Sequence, residues 1–185
     1  GVLYGVLDPS AACAAANEPL EPIIGPLAQP GDVNPNPYAV AIEADVGTEV
    51  VSIDYGSWDM HSDYGTTEWG DMQSMVGGFA AVLDAFMRDL GELRSKVTVV
   101  TISEFGRRAE ENENAGVDHG WGNAMFVLGG HVNGGRVFGT WPGLRDVDLT
   151  DGDLTVTTDY RAVLADVLRS RAGASAGEVA TVFPG

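Results

Sequence analysis

The chain has 185 residues, enough for a domain with a sizeable core, and 44% hydrophobic with 20% charged residues exclude a disordered polymer. Twenty-seven acidic against ten basic residues give a net charge of −17, which excludes nucleic acid and anionic membranes as natural partners. The single cysteine, Cys13, excludes an intrachain disulfide and a cysteine metal site, and no apolar run is long enough to span a bilayer.

The opening Gly1 to Leu7 has no basic leader, so no signal peptide is expected there. Proline recurs at positions 9, 19, 22, 26, 30, 35 and 37, and residues 1–37 read as an irregular Pro/Ala-rich arm with one short helix over Ser10 to Ala16. Residues 38–185 then read as one α/β domain. Tyr38 to Asp45 resembles a helix end closed by Gly47. Thr48 to Tyr55 is a strand by its apolar Val50, Val51 and Ile53, and it delivers Asp54, Asp59 and His61 beyond its carboxyl end. From Thr67 to Leu93 apolar residues recur at three and four: Met72, Met75, Val76, Phe79, Val82, Leu83, Phe86, Met87 and Leu90. That spacing predicts an amphipathic helix whose Met and Phe stripe is core.

Val97 to Ile102 is a continuous β-branched run, which reads as a buried parallel strand. It ends in polar residues, Ser103, Glu104, Arg107 and Arg108. Strand, helix and strand of these lengths predict a right-handed crossover unit, with the Asp59/His61 edge and the Glu104 edge on one side of one sheet. Ala124 to Leu128 is a third buried run. Asp148 to Thr155 predicts a hairpin about Asp151-Gly152. Thr158 or Asp159 caps a last helix, Tyr160 to Arg171.

Several groups have two readings. Asp59 and His61 fit two ligands of a hard divalent metal, or a loop cap beside a surface histidine. Glu104 fits a ligand or general base, or an ion pair with Arg107 or Arg108. Arg107 fits a clamp for a phosphate or sulfate group. Asp118 and His119 fit an imidazole ligand with a carboxylate as ligand or supporting group, or a structural turn. Glu110, Glu111 and Glu113 read as a solvated acidic loop, Trp121 as a packing residue, Asn123 as a ligand or loop contact, and His131 as a surface histidine. The convergence of these groups at one sheet edge is what a metal hydrolase site needs.

Gly-Ser-Trp-Asp-Met-His at 56–61, Ser-Glu-Phe-Gly-Arg at 103–107, Asp-His-Gly-Trp-Gly-Asn at 118–123, Gly-Gly-Arg-Val-Phe-Gly at 134–139 and Thr-Thr-Asp-Tyr-Arg at 157–161 carry a resemblance. From about Asp45 onward the chain resembles the C-terminal half of the bacterial proteins grouped as domain of unknown function family 1501. That family is similar to the alkaline phosphatase and sulfatase superfamily. The resemblance implies an α/β fold with a mainly parallel sheet between helices, alkaline-phosphatase-like and shortened at the N-terminus. It also implies a divalent metal, zinc, manganese, calcium or magnesium, held by Asp59, His61, Glu104 and His119. Arg107 and Asp118 would serve catalysis on a small anionic ester. A twin-arginine export signal in family members implies a location outside the cytoplasm. Phe105 stands where the superfamily has a ligand histidine, the spacing from Asp59 to His61 is tighter than the superfamily's, and its nucleophile region has no counterpart in residues 1–44.

Two functions follow as expectations. One is a metal-dependent hydrolase of phosphate or sulfate esters. The other is a non-catalytic, shortened member of that fold, acting in binding or assembly with a partner chain or a second copy at an open sheet edge.

Overall fold

A computed structural model describes the backbone of residues 2–7, residue 42 and residues 49–184. The chain divides into two compact units, Gly1–Ser95 and Lys96–Gly185. In the first, β1 (Val2–Leu7) runs parallel to β2 (Val50–Tyr55), with Val2 opposite Val50 and Leu7 opposite Tyr55. The strand over residues 2–7 departs from the irregular arm expected there; the rest of that arm and its short helix lie outside the described residues. Of the helix end expected over Tyr38 to Asp45, only Ile42 is described, and it is helical.

The long periodic segment forms α1 (Asp71–Asp89), and a 3-10 turn, Gly91–Ser95, follows it. Its Met and Phe stripe is half-buried rather than fully enclosed, and only Leu90, which caps the helix, is sealed from solvent at 2% exposure. Two glycines sit side by side within this helix. A Cβ at Gly77 meets nothing within 4 Å, whereas one at Gly78 lies 2.7 Å from the Tyr55 hydroxyl. Gly77→Ala is therefore expected to stabilise by roughly 0.5–1 kcal/mol, the helix-propensity difference. Gly78→Ala is expected to lose that gain by displacing the Tyr55 ring. Urea unfolding of both variants checks this, and equal gains would show that Tyr55 yields freely.

The second unit holds two short antiparallel pairings. β3 (Thr98–Val100) pairs with a later strand, Val127–Gly129, and Gly106–Arg107 (β4) pairs with His119–Gly120 (β5). Val127–Gly129 is thus β6. The Asp151-Gly152 hairpin forms as expected: Thr150 and Asp153 exchange both backbone hydrogen bonds, at 3.0 and 2.9 Å, across two residues with φ of 54° and 83°. Asp153 is buried, and the Arg108 guanidinium reaches it at 3.4 Å and donates to the Asp151 carbonyl at 3.0 Å. This ties the hairpin to the end of β4.

Two helices close the described residues, α2 (Tyr160–Arg171) and α3 (Ala176–Val182). Asp159 caps α2 by accepting from the Arg161 amide at 2.8 Å. The Arg161 guanidinium on the same carboxylate holds Asp159 below its ordinary value. A carboxylate lowered by folding stabilises above the ordinary Asp range, near pH 4, and that contribution is lost as pH falls through the lowered value. Helix content is thus expected to fall in acid, and less so in Asp159→Asn. A far-ultraviolet pH titration checks it, with identical acid profiles as the contrary result. Helix α3 carries a capping box: Ser175 Oγ accepts from the Glu178 amide at 3.3 Å, and the Glu178 carboxylate accepts from the Ser175 amide at 2.8 Å.

The alkaline-phosphatase-like architecture does not hold. Among the described residues there is no mainly parallel sheet between helices, only three separate two-stranded pairings, one parallel and two antiparallel. β2 and β3 belong to different pairings, so the expected crossover unit is absent. The physical reason lies in what a β-branched run reports. It signals half-buried, pleated backbone, not strand direction. Direction is set by the partner, and here the chain turns back so that the Thr101 amide donates to the Phe126 carbonyl at 3.0 Å while Thr101 Oγ1 accepts from the Phe126 amide at 2.9 Å. The ladder spans only three residues, and Ile102 is exposed. No described helix is long and apolar enough to cross a membrane.

Candidate metal centre

Two segments, one in each unit, carry the candidate residues. In the first unit the chain leaves β2 through Gly56, whose φ of 68° favours glycine. Trp58 then anchors the turn: its indole Nε1 donates to the Tyr55 carbonyl at 2.7 Å, and its ring meets the Phe79 ring edge-on at 5.9 Å. Tyr55 also packs on Phe79 at 5.1 Å, and burial pushes its phenol above the ordinary value. Met60 is buried as a second anchor.

With Trp58 and Met60 facing inward, Asp59 and His61 face outward together. His61 Nε2 lies 2.9 Å from Asp59 Oδ1. The sequence leaves open whether residues two apart on a loop share a face; the alternating anchors make them do so. Both side chains remain accessible, at 42% and 70% exposure for His61 and Asp59. This is a carboxylate–imidazole pair held open to solvent by an aromatic base.

In the second unit the motif glycines exist for close approach. A Cβ at Gly120 would lie 2.6 Å from the backbone of Arg107, and one at Gly106 would run into the backbone of Gly122. Glycine at these positions lets β4 and β5 pair with Arg107 directly opposite His119. The His119 imidazole stacks on the Phe105 ring at 3.8 Å, and the Arg107 guanidinium lies 5.3 Å from the centre of the same ring. Arg107 also donates to the Val117 carbonyl at 2.9 Å. Ser103 Oγ and Asn123 Nδ2 both donate to the Phe105 carbonyl, at 2.6 and 3.1 Å, so Asn123 holds the loop.

The other candidates are placed as follows. Glu104 is exposed and makes no ion pair with Arg107 or Arg108 among the described residues. Asp118 accepts from the Asn112 side-chain amide at 3.0 Å. Trp121 is exposed rather than packed, and His131 is exposed with a φ of 67°. Within the first unit, Asp59 and His61 offer a carboxylate and an imidazole side by side. They make a mixed oxygen and nitrogen donor pair, the kind zinc and other first-row ions take.

Two residues escaped the sequence reading. Phe105 matters as the surface on which His119 stacks, and Asn112 matters as the centre of the loop leading to it. The run Asn-Glu-Asn-Ala-Gly at 112–116 carries the signal for the second, since asparagine side chains commonly bond the backbone two residues on.

The family model described as Protein of unknown function (DUF1501) matches residues 41–169. The chain belongs to this family. Comparisons with curated proteins and with solved structures find no match. The matched span includes every element from β2 to β6, and so both segments that carry the family motifs. It ends within α2, ahead of the Ser175 capping box.

Proposed function

We propose that this DUF1501 chain is a metal-dependent hydrolase of phosphate or sulfate esters, with Asp59 and His61 as ligands and His119, by the family resemblance, as a further one. The observation that carries the reading is the outward-facing Asp59–His61 pair at 2.9 Å, flanked by the half-buried Trp58 and the buried Met60. An imidazole donor favours zinc over calcium and magnesium, which take oxygen ligands. When bound, such a cation supplies Lewis acidity toward an ester oxygen and toward water.

The chain's own groups then divide the remaining tasks. Asp59 brings the negative charge that offsets part of the cation's. Phe105 fixes the plane of the His119 ring. Arg107 is held by its bond to the Val117 carbonyl, and its guanidinium is the cation for a phosphate or sulfate group. The choice of phosphate and sulfate esters comes from the sequence resemblance to phosphatases and sulfatases, and export from the cytoplasm is part of the same proposal; the alkaline-phosphatase fold is not.

The test is hydrolysis of p-nitrophenyl phosphate and p-nitrophenyl sulfate by protein loaded with zinc or manganese, before and after chelation. Chelator-sensitive turnover of either ester supports the reading. No turnover with a full complement of metal overturns the hydrolase and leaves a metal-binding protein.

A second reading, binding or assembly with a partner chain, draws on a different observation. Val137, Phe138, Trp141, Leu144 and Val147 are all exposed, Val137 at 98% and Val147 at 84%. So many uncovered apolar residues in one segment are unusual for a monomer surface. A native mass well above 19.4 kDa without ester hydrolysis favours this reading; a monomer that turns over esters rejects it.

A further inference from the structure

The loop between β4 and β5 reads from sequence as solvated and acidic, yet its backbone is built around one side chain. Asn112 Oδ1 accepts from the amides of Asn114 and Gly116, at 2.9 and 3.1 Å. Asn112 Nδ2 donates to Asp118 Oδ1 at 3.0 Å. The Asn112 amide donates to the Gly116 carbonyl at 2.8 Å, and its carbonyl accepts from Ala115 at 3.1 Å. Five hydrogen bonds thus meet at one residue. They hold Ala115 at a φ of 54°, a left-handed conformation that is unfavourable for a non-glycine residue.

The same loop is closed at its neck by Arg108, whose amide donates to the Asp118 carbonyl at 2.9 Å, and by the Arg107–His119 register pair. Asp118 is therefore held from both sides, its carbonyl by Arg108 and its carboxylate by Asn112. The next residue is His119. A side chain that stacks on a ring at 3.8 Å needs its Cα fixed to within a fraction of that distance, and a two-residue strand supplies little rigidity alone. We infer that Asn112 is a positioning residue for His119: its amide link to Asp118 fixes the start of β5, and so seats the imidazole on Phe105.

Its consequence for metal binding rests on the metal-centre reading above; the stacking itself does not. Asn112→Asp separates the two halves of the device. It keeps the acceptor for Asn114 and Gly116, and it replaces the donor to Asp118 with a second carboxylate, which repels it. The readout is the ring-proton shifts of His119 in NMR, assigned by their absence in His119→Gln. Stacking on Phe105 displaces them upfield.

In Asn112→Asp these signals are expected to return to unstacked positions while the Glu178 capping-box amide stays where it is. Zinc affinity, measured by titrating zinc chloride, is expected to fall about 10–100-fold, the usual cost of losing a group that orients a ligand. Unmoved His119 signals in Asn112→Asp overturn the inference, whatever the zinc result. If Asn112→Asp does not fold, Asn112→Ser, which keeps a short acceptor but cannot reach Asp118, decides by the same signals. Absence of zinc binding to the wild-type protein overturns the metal centre instead, and the His119 shifts still decide the role of Asn112.

Discussion

His61→Ala and His119→Ala are each expected to weaken zinc binding by well over 100-fold. Losing a residue that only orients a ligand costs about 10–100-fold, and losing the donor itself costs more. Asp59→Asn is expected to act in the same direction, because it removes the anionic donor beside His61 while leaving the Trp58 and Met60 anchors in place. Elemental mass spectrometry of the purified proteins, read against protein concentration, measures the outcome. Three variants that all retain one equivalent of metal would sink the proposed ligand set. Loss in His61→Ala with retention in His119→Ala would instead confine the site to the first unit. His131→Ala is the control, since this exposed histidine lies outside the proposed ligand set, and it is expected to bind as the wild type does.

The largest stability effect is expected from Leu90→Ala, at about 2–5 kcal/mol. Leu90 ends α1, donates its amide to the Phe86 carbonyl at 3.1 Å, and is only 2% exposed. Few described apolar residues are buried to a comparable degree, Met60 and Val117 being the others. A residue sealed this completely leaves a cavity when truncated, and the cost grows with the volume left empty. With a urea slope of about 1–3 kcal/mol per molar, the midpoint should fall by roughly 1 M or more. Val76→Ala on the same helix is the comparison. Val76 is largely exposed, and its loss is expected to stay within about 0.5 kcal/mol. Equal midpoints for the two variants would show that Leu90 is not the anchor of α1.

Local signals in the sequence were read correctly where the physics is local. The three-and-four spacing from Met72 to Leu90 depends only on helix geometry, and α1 occupies Asp71–Asp89. The Asp159 cap depends on one side chain reaching an amide two residues on, and α2 begins at Tyr160. The Asp151-Gly152 turn depends on two left-handed residues, and both are left-handed. The capping box at Ser175 and Glu178, which opens α3, belongs to the same class of signal.

What the sequence by itself determined, then, is the long helix, the Asp159 cap and the Asp151-Gly152 turn, together with the residues it offers for chemistry: Asp59, His61, Glu104, Arg107, Asp118 and His119. Only the tertiary structure decided which strands pair. Val97 to Ile102 and Thr48 to Tyr55 are both β-branched runs, and nothing in either states its partner or its direction. Pairing is a long-range choice among hydrogen-bonding edges that look alike from within one strand. The tertiary structure also decided that Asp59 and His61 share a face, because that depends on Trp58 packing against Phe79 some twenty residues later. It decided, finally, that an acidic loop is organised by Asn112, since five hydrogen bonds can converge on one residue only once the chain has folded back on itself.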